Sequence, residues 1–372
     1  MAIGMTEEKY TRRHGGNIYE AAREYGIPPD SILDFSASIN PLGVPKAIKD
    51  VIASNVNSLS SYPDPECTGL KECISNYLGV CGSRIIVGNG ALEVIFLLFE
   101  ALRPKRVLIP SPTFSEYEAA AARYGTEAVY FELRRKEGFR LNVDALIESL
   151  NDGTDAILLC NPNNPTSVLY ERNELVSLIK YASRRGINVI IDEAFIELTA
   201  SGNKSSMVHY VNEYDNLFII RAFTKVFAVP GLRLGYGIGN AGLIKKMWDS
   251  KLPWSVNLFA GDIGSVLKDE DGYLNRTAKW LGEETGSFYT GLCGIEGLEA
   301  FAPSSNFILV RIRGTNFTAQ RLKHEMLLRG ILIRDASSFR FLDSSYFRLA
   351  VKDRESNARA VEALGQILQR KD

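Results

Sequence analysis

Few cysteines are present, and they form no pattern. There are five in 372 residues: Cys67, Cys73, Cys81, Cys160 and Cys293. The number is odd and no pair has C-x-x-C spacing, which argues against a disulfide framework or a zinc site and for a reducing cytoplasm. No metal ligand set is expected. Charge of one sign is also missing: 43 basic residues stand against 44 acidic ones, for a net charge of −1. A nucleic-acid partner would call for a basic excess. Long hydrophobic runs are absent, since the most apolar stretch, Val94–Phe99, is far too short to span a bilayer. The opening 20 residues are charged and polar, without the apolar stretch of a secretion signal. Low-complexity segments and internal repeats are lacking too. The expectation is a cytoplasmic protein with neither membrane nor nucleic acid as partner. Its 45% apolar content suffices for one large core or two domains, and its 31 glycines imply many tight turns.

Short runs rich in Val, Ile and Leu recur at Arg106–Pro110, Ala156–Cys160, Asn188–Asp192 and Leu217–Arg221. They read as buried strands. Helical patterns lie between them at Ala91–Leu102, Ser115–Tyr124 and Glu171–Arg185, the last with Leu175, Leu178, Ile179 and Ala182 on one face. Strands alternating with helices predict a mainly parallel sheet covered on both faces. The ends of the chain differ. Residues 1–45 are turn-rich, and the region from about 260 mixes helices (Ala260–Leu267, Ala319–Leu328) with short strands (Phe307–Val310, Phe347–Val351). The expected plan is a large α/β domain over 46–259 and a smaller α+β domain built from 1–45 and 260–372.

In open α/β sheets ligands bind beyond the carboxyl ends of the strands. The most unusual sequence falls there. Ser111-Pro112-Thr113-Phe114 follows the first run, and Asn161-Pro162-Asn163-Asn164-Pro165-Thr166 the second. Asp192-Glu193-Ala194-Phe195 ends the third, and Ala222-Phe223-Thr224-Lys225 the fourth. An aromatic ring, a carboxamide, a carboxylate and an amine are thus offered to one place.

Each of these groups has a chemical and a plain reading. A desolvated Lys225 has a lowered pKa and can attack an aldehyde to form an imine; equally, it can sit in a salt bridge with Asp192 or Glu193. Arg233 can clamp a phosphate, with the Thr224 hydroxyl as a further donor, or make a surface ion pair. Gly88-Asn89-Gly90-Ala91-Leu92-Glu93 puts glycines before a helix, which suits phosphate at the helix N-terminus but also suits an ordinary turn. Asp192 ends an apolar strand and needs a cationic partner, such as a protonated pyridine nitrogen or a lysine. Asn164 can bond a phenolic oxygen or only shape its turn, and Phe114 can stack on a ring or fill the core.

Taken in order, Gly88–Glu93, Pro112–Phe114, Asn161–Thr166, Asp192–Phe195, Thr224-Lys225 and Arg233 resemble the fold-type I pyridoxal-phosphate enzymes, aminotransferase classes I and II, over nearly the whole chain. The resemblance implies the aspartate aminotransferase-like fold and pyridoxal 5′-phosphate as cofactor. It gives Lys225 the imine and Asp192 the ring nitrogen. Asn164 takes the ring oxygen and Phe114 the stacking face, while Gly90, Ala91, Leu92, Thr224 and Arg233 hold the phosphate. Tyr62, in Tyr62-Pro63-Asp64-Pro65, resembles a tyrosine that reaches the neighbouring subunit's cofactor, which implies a homodimer; its other reading is a loop aromatic packed locally. Two positions depart from the pattern. Phe195 stands where a tyrosine is common, and Ala222 where a hydroxyl residue is common. Asn164 is then the one named donor to the ring oxygen.

Within the family, the N-terminal His14-Gly15-Gly16-Asn17 and Asp34–Gly43 resemble the L-threonine-O-3-phosphate decarboxylase branch. The histidinol-phosphate aminotransferase branch is the alternative, suggested by the segments around Tyr62, Asn161 and Arg233. The first branch implies decarboxylation to (R)-1-aminopropan-2-yl phosphate for cobalamin synthesis. Both imply a small phosphorylated amino-acid or amine substrate. Arg348 resembles the family's carboxylate-binding arginine and Arg334 the one that holds a substrate phosphate; ion pairs with Asp335 or Asp343 are the plain reading of each. His14 and Asn17 are further candidate phosphate donors, and Ser38 and Asn40 candidates for the entrance.

Overall fold

The computed structural model describes residues 15–150, 153–267, 271–314 and 317–369. Eight strands come first: β1 (Leu33–Asp34), β2 (Ile85–Asn89), β3 (Arg106–Ser111), β4 (Glu127–Glu132), β5 (Ala156–Cys160), β6 (Asn188–Asp192), β7 (Leu217–Ala222) and β8 (Leu234–Ile238). All but β1 form a seven-stranded sheet in the order β2-β8-β7-β6-β5-β3-β4. β8 runs antiparallel to both its neighbours, and the other pairings are parallel. β5 and β7 are buried at every position, as their unbroken apolar runs require.

Three strands of this sheet lack such a run. β4 is a half-exposed edge strand, bounded by Glu127 and Glu132. β2 and β8 are interrupted by glycine. A Cβ on Gly237 would stand 2.5 Å from the Phe218 ring, and one on Gly235 only 2.1 Å from the Ala91 backbone nitrogen. Here glycine lets the helix Gly90–Leu102 lie close against the sheet.

The helix Arg172–Ser183 buries Leu175, Leu178, Ile179 and Ala182, the residues its spacing selects. The helix expected at Ala260–Leu267 is instead two short pieces, Leu258–Asp262 and Gly264–Leu267. The first starts early because the Asn257 side chain accepts from Ala260 N at 3.0 Å. The second begins where Gly264 packs tightly on Leu70 and Cys73, a Cβ there standing 3.0 Å from Leu70 Cδ1.

The remaining strands are β9 (Leu298–Ala300), β10 (Phe307–Ile312), β11 (Ile331–Leu332), β12 (Arg334–Asp335) and β13 (Tyr346–Ala350). An antiparallel sheet of order β12-β13-β10-β9 packs with the helices Asp271–Cys293, Ala319–Leu327 and Arg354–Gln369. β1 pairs with β11, and Phe35 beside it is fully buried in the same core as Phe347, Leu322 and Met326. Burying that ring contributes roughly 2–3 kcal/mol. It fastens the beginning of the chain to its end, and so brings residues 36–38 to the large sheet.

Candidate functional site

β7, β6, β5 and β3 are consecutive neighbours in the sheet, and the segments leaving their carboxyl ends meet at a cavity of about 330 Å³. Its wall includes Gly90, Ala91, Leu92, Phe114, Asn164, Asp192, Thr224, Lys225 and Arg233. From the other side come Ser38, Arg334 and Arg348. Segments far apart in sequence are joined here because the parallel strands all end at one edge.

Lys225 lies on the short helix Phe223–Val226 directly after β7. It makes no ion pair among the described residues. Neither suggested salt-bridge partner faces it. Asp192 accepts from Tyr117 Oη at 2.7 Å and from Ala194 N at 2.9 Å. Glu193 accepts from Ser206 Oγ and Met207 N, and pairs with the fully buried Arg221, which also binds Glu197. Burial first, then the positive charges of Arg348 and Arg233, push the Lys225 amine down to about 8. Phe195 sets its ring 5.8 Å from Nζ, so the position without a tyrosine hydroxyl presents an aromatic face to the amine.

Asp192 is a buried carboxylate whose bonds come from neutral donors. Burial raises its pKa, and the two donors oppose that rise. Gly90 has φ +81°, and a Cβ there would lie 2.4 Å from Arg233 Nη2. The Arg233 guanidinium therefore sits over the N-terminus of the helix Gly90–Leu102, so that two features attractive to a phosphate coincide. Glu93, in the first turn, accepts from Asn89 N and closes the helix end from the other side.

Arg348 is buried on β13. It donates to the Asn164 carboxamide oxygen and, at 2.9 Å, to the Ser36 carbonyl oxygen. Its Nε has no partner, and no carboxylate pairs with the guanidinium among the described residues. Burial and the like charge of Arg334 push it down to about 9. Arg334 donates to Ser338 Oγ at 3.4 Å and lies 5.6 Å from the Phe339 ring. Asp343 bonds Ser345 and Asp335 bonds Ser337 N. The buried Ser38 hydroxyl has no hydrogen-bond partner among the described residues.

Three candidates lie elsewhere, and one lies beyond view. Asn17 caps the helix Ile18–Tyr25, accepting from Glu20 N at 3.1 Å. Asn40 is buried behind the lysine turn: it donates to Val226 O and Thr277 Oγ1, while its own N bonds Lys225 O. It props the turn that carries Lys225 and is not in the cavity wall. Tyr62 is 80% exposed and packs on Trp254, with ring centroids 4.9 Å apart. His14 lies outside the described residues. Sequence reasoning passed over Tyr117, Ser36 and Glu116, which also line the cavity. Tyr117 and Glu116 follow the Phe114 turn, and that adjacency was the available signal.

A cavity built on this sheet order, with its lysine just past β7, belongs to the aspartate aminotransferase-like fold, whose enzymes carry pyridoxal 5′-phosphate. The chain belongs to the aminotransferase class I and II family, whose pattern matches residues 30–364. It is 43% identical to a putative threonine-phosphate decarboxylase of Caldanaerobacter subterraneus subsp. tengcongensis, over 94% of this chain and 92% of that one. It is 36% identical to the threonine-phosphate decarboxylase of Salmonella typhimurium, over 96% and 97%. A solved structure of histidinol-phosphate aminotransferase from Clostridium acetobutylicum is similar at TM-score 0.83 and 34% identity, covering 90% of this chain and 98% of that one. Among the described residues no helix is long and apolar enough to cross a membrane.

The residues fit the cofactor. Among the described residues Asp192 offers a buried carboxylate without a cationic partner and Lys225 an amine without an anionic one, and Arg233 sets a guanidinium over a helix N-terminus.

Proposed function

We propose that the enzyme decarboxylates L-threonine O-3-phosphate to (R)-1-aminopropan-2-yl phosphate and CO₂, for cobalamin synthesis in the cytoplasm. The observation that carries this reading is the pair Arg334 and Arg348 in the wall that also holds Lys225. A phosphorylated amino acid brings two anions, and two guanidiniums suit it. The two relatives named for that activity match over nearly their whole length.

In this reading Arg348 takes the carboxylate and Arg334 the phosphate. Lys225, Asp192 and Asn164 are the catalytic groups, and Phe114, Thr224, Arg233 and the Gly90–Leu92 turn hold the cofactor. Bound, the cofactor supplies an electrophilic carbon for the substrate amine and a ring that draws in the electron pair of the bond broken at Cα. Asp192 would hold the ring nitrogen and favour its protonated form. A lysine at about 8 is neutral in roughly a tenth of molecules at pH 7. Its neutral Nζ would hold the cofactor's electrophilic carbon, and once released it could carry a proton to the substrate Cα. Holding the substrate at both ends decides which Cα bond lies open to cleavage, an orientation effect. The buried wall around Arg348 excludes water and strengthens its hold on the carboxylate.

Tyr62 serves the neighbouring subunit of a homodimer; its exposure, beside the exposed Leu59, Leu252 and Trp254, supports this. Residues 46–259 form the cofactor domain, and 1–45 with 260–372 the smaller one.

The test is to add O-phospho-L-threonine to holoenzyme and follow CO₂. Release without added 2-oxoglutarate supports the decarboxylase. No release, with 2-oxoglutarate-dependent turnover of histidinol phosphate, establishes the aminotransferase alternative, which the solved structure's likeness keeps in play.

A further inference from the structure

The loop between β12 and β13 starts after Asp335, one residue past Arg334. Within it, Phe339 lines both the site and a neighbouring cavity, while Arg340 reaches away from the site. Phe339 turns toward the site: its ring lies 5.6 Å from the Arg334 guanidinium, and it lines the cavity. Ser338, just before it, accepts from Arg334 Nη2 at 3.4 Å. Arg340, just after it, reaches away to the edge of the large sheet. There its Nη2 lies 2.7 Å from Glu118 Oε1, and its guanidinium carbon 3.7 Å from the centre of the Tyr130 ring. Tyr130 is on the edge strand β4. Glu118 is on the helix Glu116–Arg123, whose first residues line the cavity and whose Tyr117 holds Asp192.

Between loop and sheet edge lies a second cavity of about 500 Å³, lined by Ser111, Thr113, Glu118 and Tyr130 on one side and by Ser337 and Arg340 on the other. The loop does not rest flush on the sheet edge. Arg340 spans the gap as a strut. The tyrosine face and the carboxylate hold it from two directions, and a planar cation suits both contacts at once.

We propose that Arg340 is a positioning residue for the substrate's distal anion: by bracing the loop against Glu118 and Tyr130 it fixes Phe339 and Ser338, and through them Arg334. This rests on the reading of Arg334 as the phosphate-binding residue. Arg340 itself touches neither substrate nor cofactor. Its work is to keep the phosphate-holding guanidinium at a set distance from Lys225, so that the phosphate helps to orient Cα instead of only adding affinity.

The experiment compares wild-type, Arg340→Met and Arg340→Lys holoenzymes. Arg340→Met should raise KM for O-phospho-L-threonine about five- to tenfold, the size expected when a partly exposed ion pair and a cation–π contact are lost together. Turnover of unphosphorylated L-threonine and the cofactor's absorbance spectrum should stay at wild-type values, with Tm lower by about 1–3 °C from the two lost contacts. Arg340→Lys, which keeps a cation, should recover most of the loss. A parallel fall for L-threonine, or a shifted cofactor spectrum, would mean a merely structural role and overturn the proposal; so would an unchanged KM. Calorimetric titration of each holoenzyme with inorganic phosphate separates this idea from the proposed reaction. If wild-type enzyme releases no CO₂ but Arg340→Met still binds phosphate five- to tenfold more weakly, the reaction is wrong and the strut stands. If phosphate binding is equal in all three, the strut is wrong whatever the reaction.

Discussion

Replacing Tyr117 by phenylalanine removes a single oxygen and tests the site through a residue that no motif marks. The phenylalanine ring can keep the edge-on contact that Tyr117 makes with Phe114, 5.5 Å between centroids. What is lost is the 2.7 Å bond from the hydroxyl to Asp192 Oδ2. Of the two donors Asp192 then keeps Ala194 N, and burial, already the largest influence on its carboxyl, is opposed by one hydrogen bond fewer, so its pKa rises further. A hydrogen bond to a charged acceptor contributes about 1.5–3 kcal/mol. If the cofactor's ring nitrogen is held by the ionised carboxylate, affinity should fall roughly 10- to 100-fold, at about 1.4 kcal/mol per factor of ten. The direction with pH follows. A carboxyl of raised pKa is ionised only above that pKa, so the deficit should be largest in acid and shrink as pH rises. The assay is titration of Tyr117→Phe apoprotein with pyridoxal phosphate between about pH 5 and 9, following absorbance. Affinity within twofold of wild type across that range would refute the assignment of Asp192 to the ring nitrogen.

Lys225→Met apoprotein should be more stable than wild type at pH 7. The folded chain holds this amine at about 8, below the usual lysine value. The folded state therefore carries the full charging penalty at lower pH, and the penalty fades as pH rises through about 8 toward 10.5. Comparison of Tm at low and high pH checks this; the same variant should lack the cofactor's visible absorbance. Gly90→Ala must adopt φ +81° and displace Arg233, at about 1–3 kcal/mol of strain, so cofactor retention on gel filtration should drop. Glu197→Gln removes one of the two carboxylates that neutralise the fully buried Arg221. Unfolding in urea should show a loss of about 3–5 kcal/mol.

Much of the large sheet was legible because its central strands are buried on both faces and so are written as unbroken apolar runs. β4 was not, because an edge strand half open to solvent carries glutamates at its ends. β2 and β8 were not, because close helix packing demands glycine where a strand pattern expects bulk. At the site, the residues that follow the central strands were legible as strand-end chemistry. Tyr117 was hidden in the first turn of a helix whose pattern looks like ordinary core packing. Asn17 and Asn40 show the converse. Their amide groups suit a substrate, but one is taken by a helix cap and the other by the turn behind Lys225.

The sequence by itself determined the family, the cofactor and the order of strand-end groups, since these depend on local runs and on motifs that survive in one dimension. Only the tertiary structure decided which groups are free to act. Glu193 was a candidate counter-ion for Lys225 until Arg221 was seen to occupy it, and Arg348 was a candidate surface ion pair until it proved buried against Asn164 and Ser36. Pairing among charges is a matter of distance across the fold, and the lowered pKa of Lys225 is a matter of burial. Neither is written at any one position of the chain.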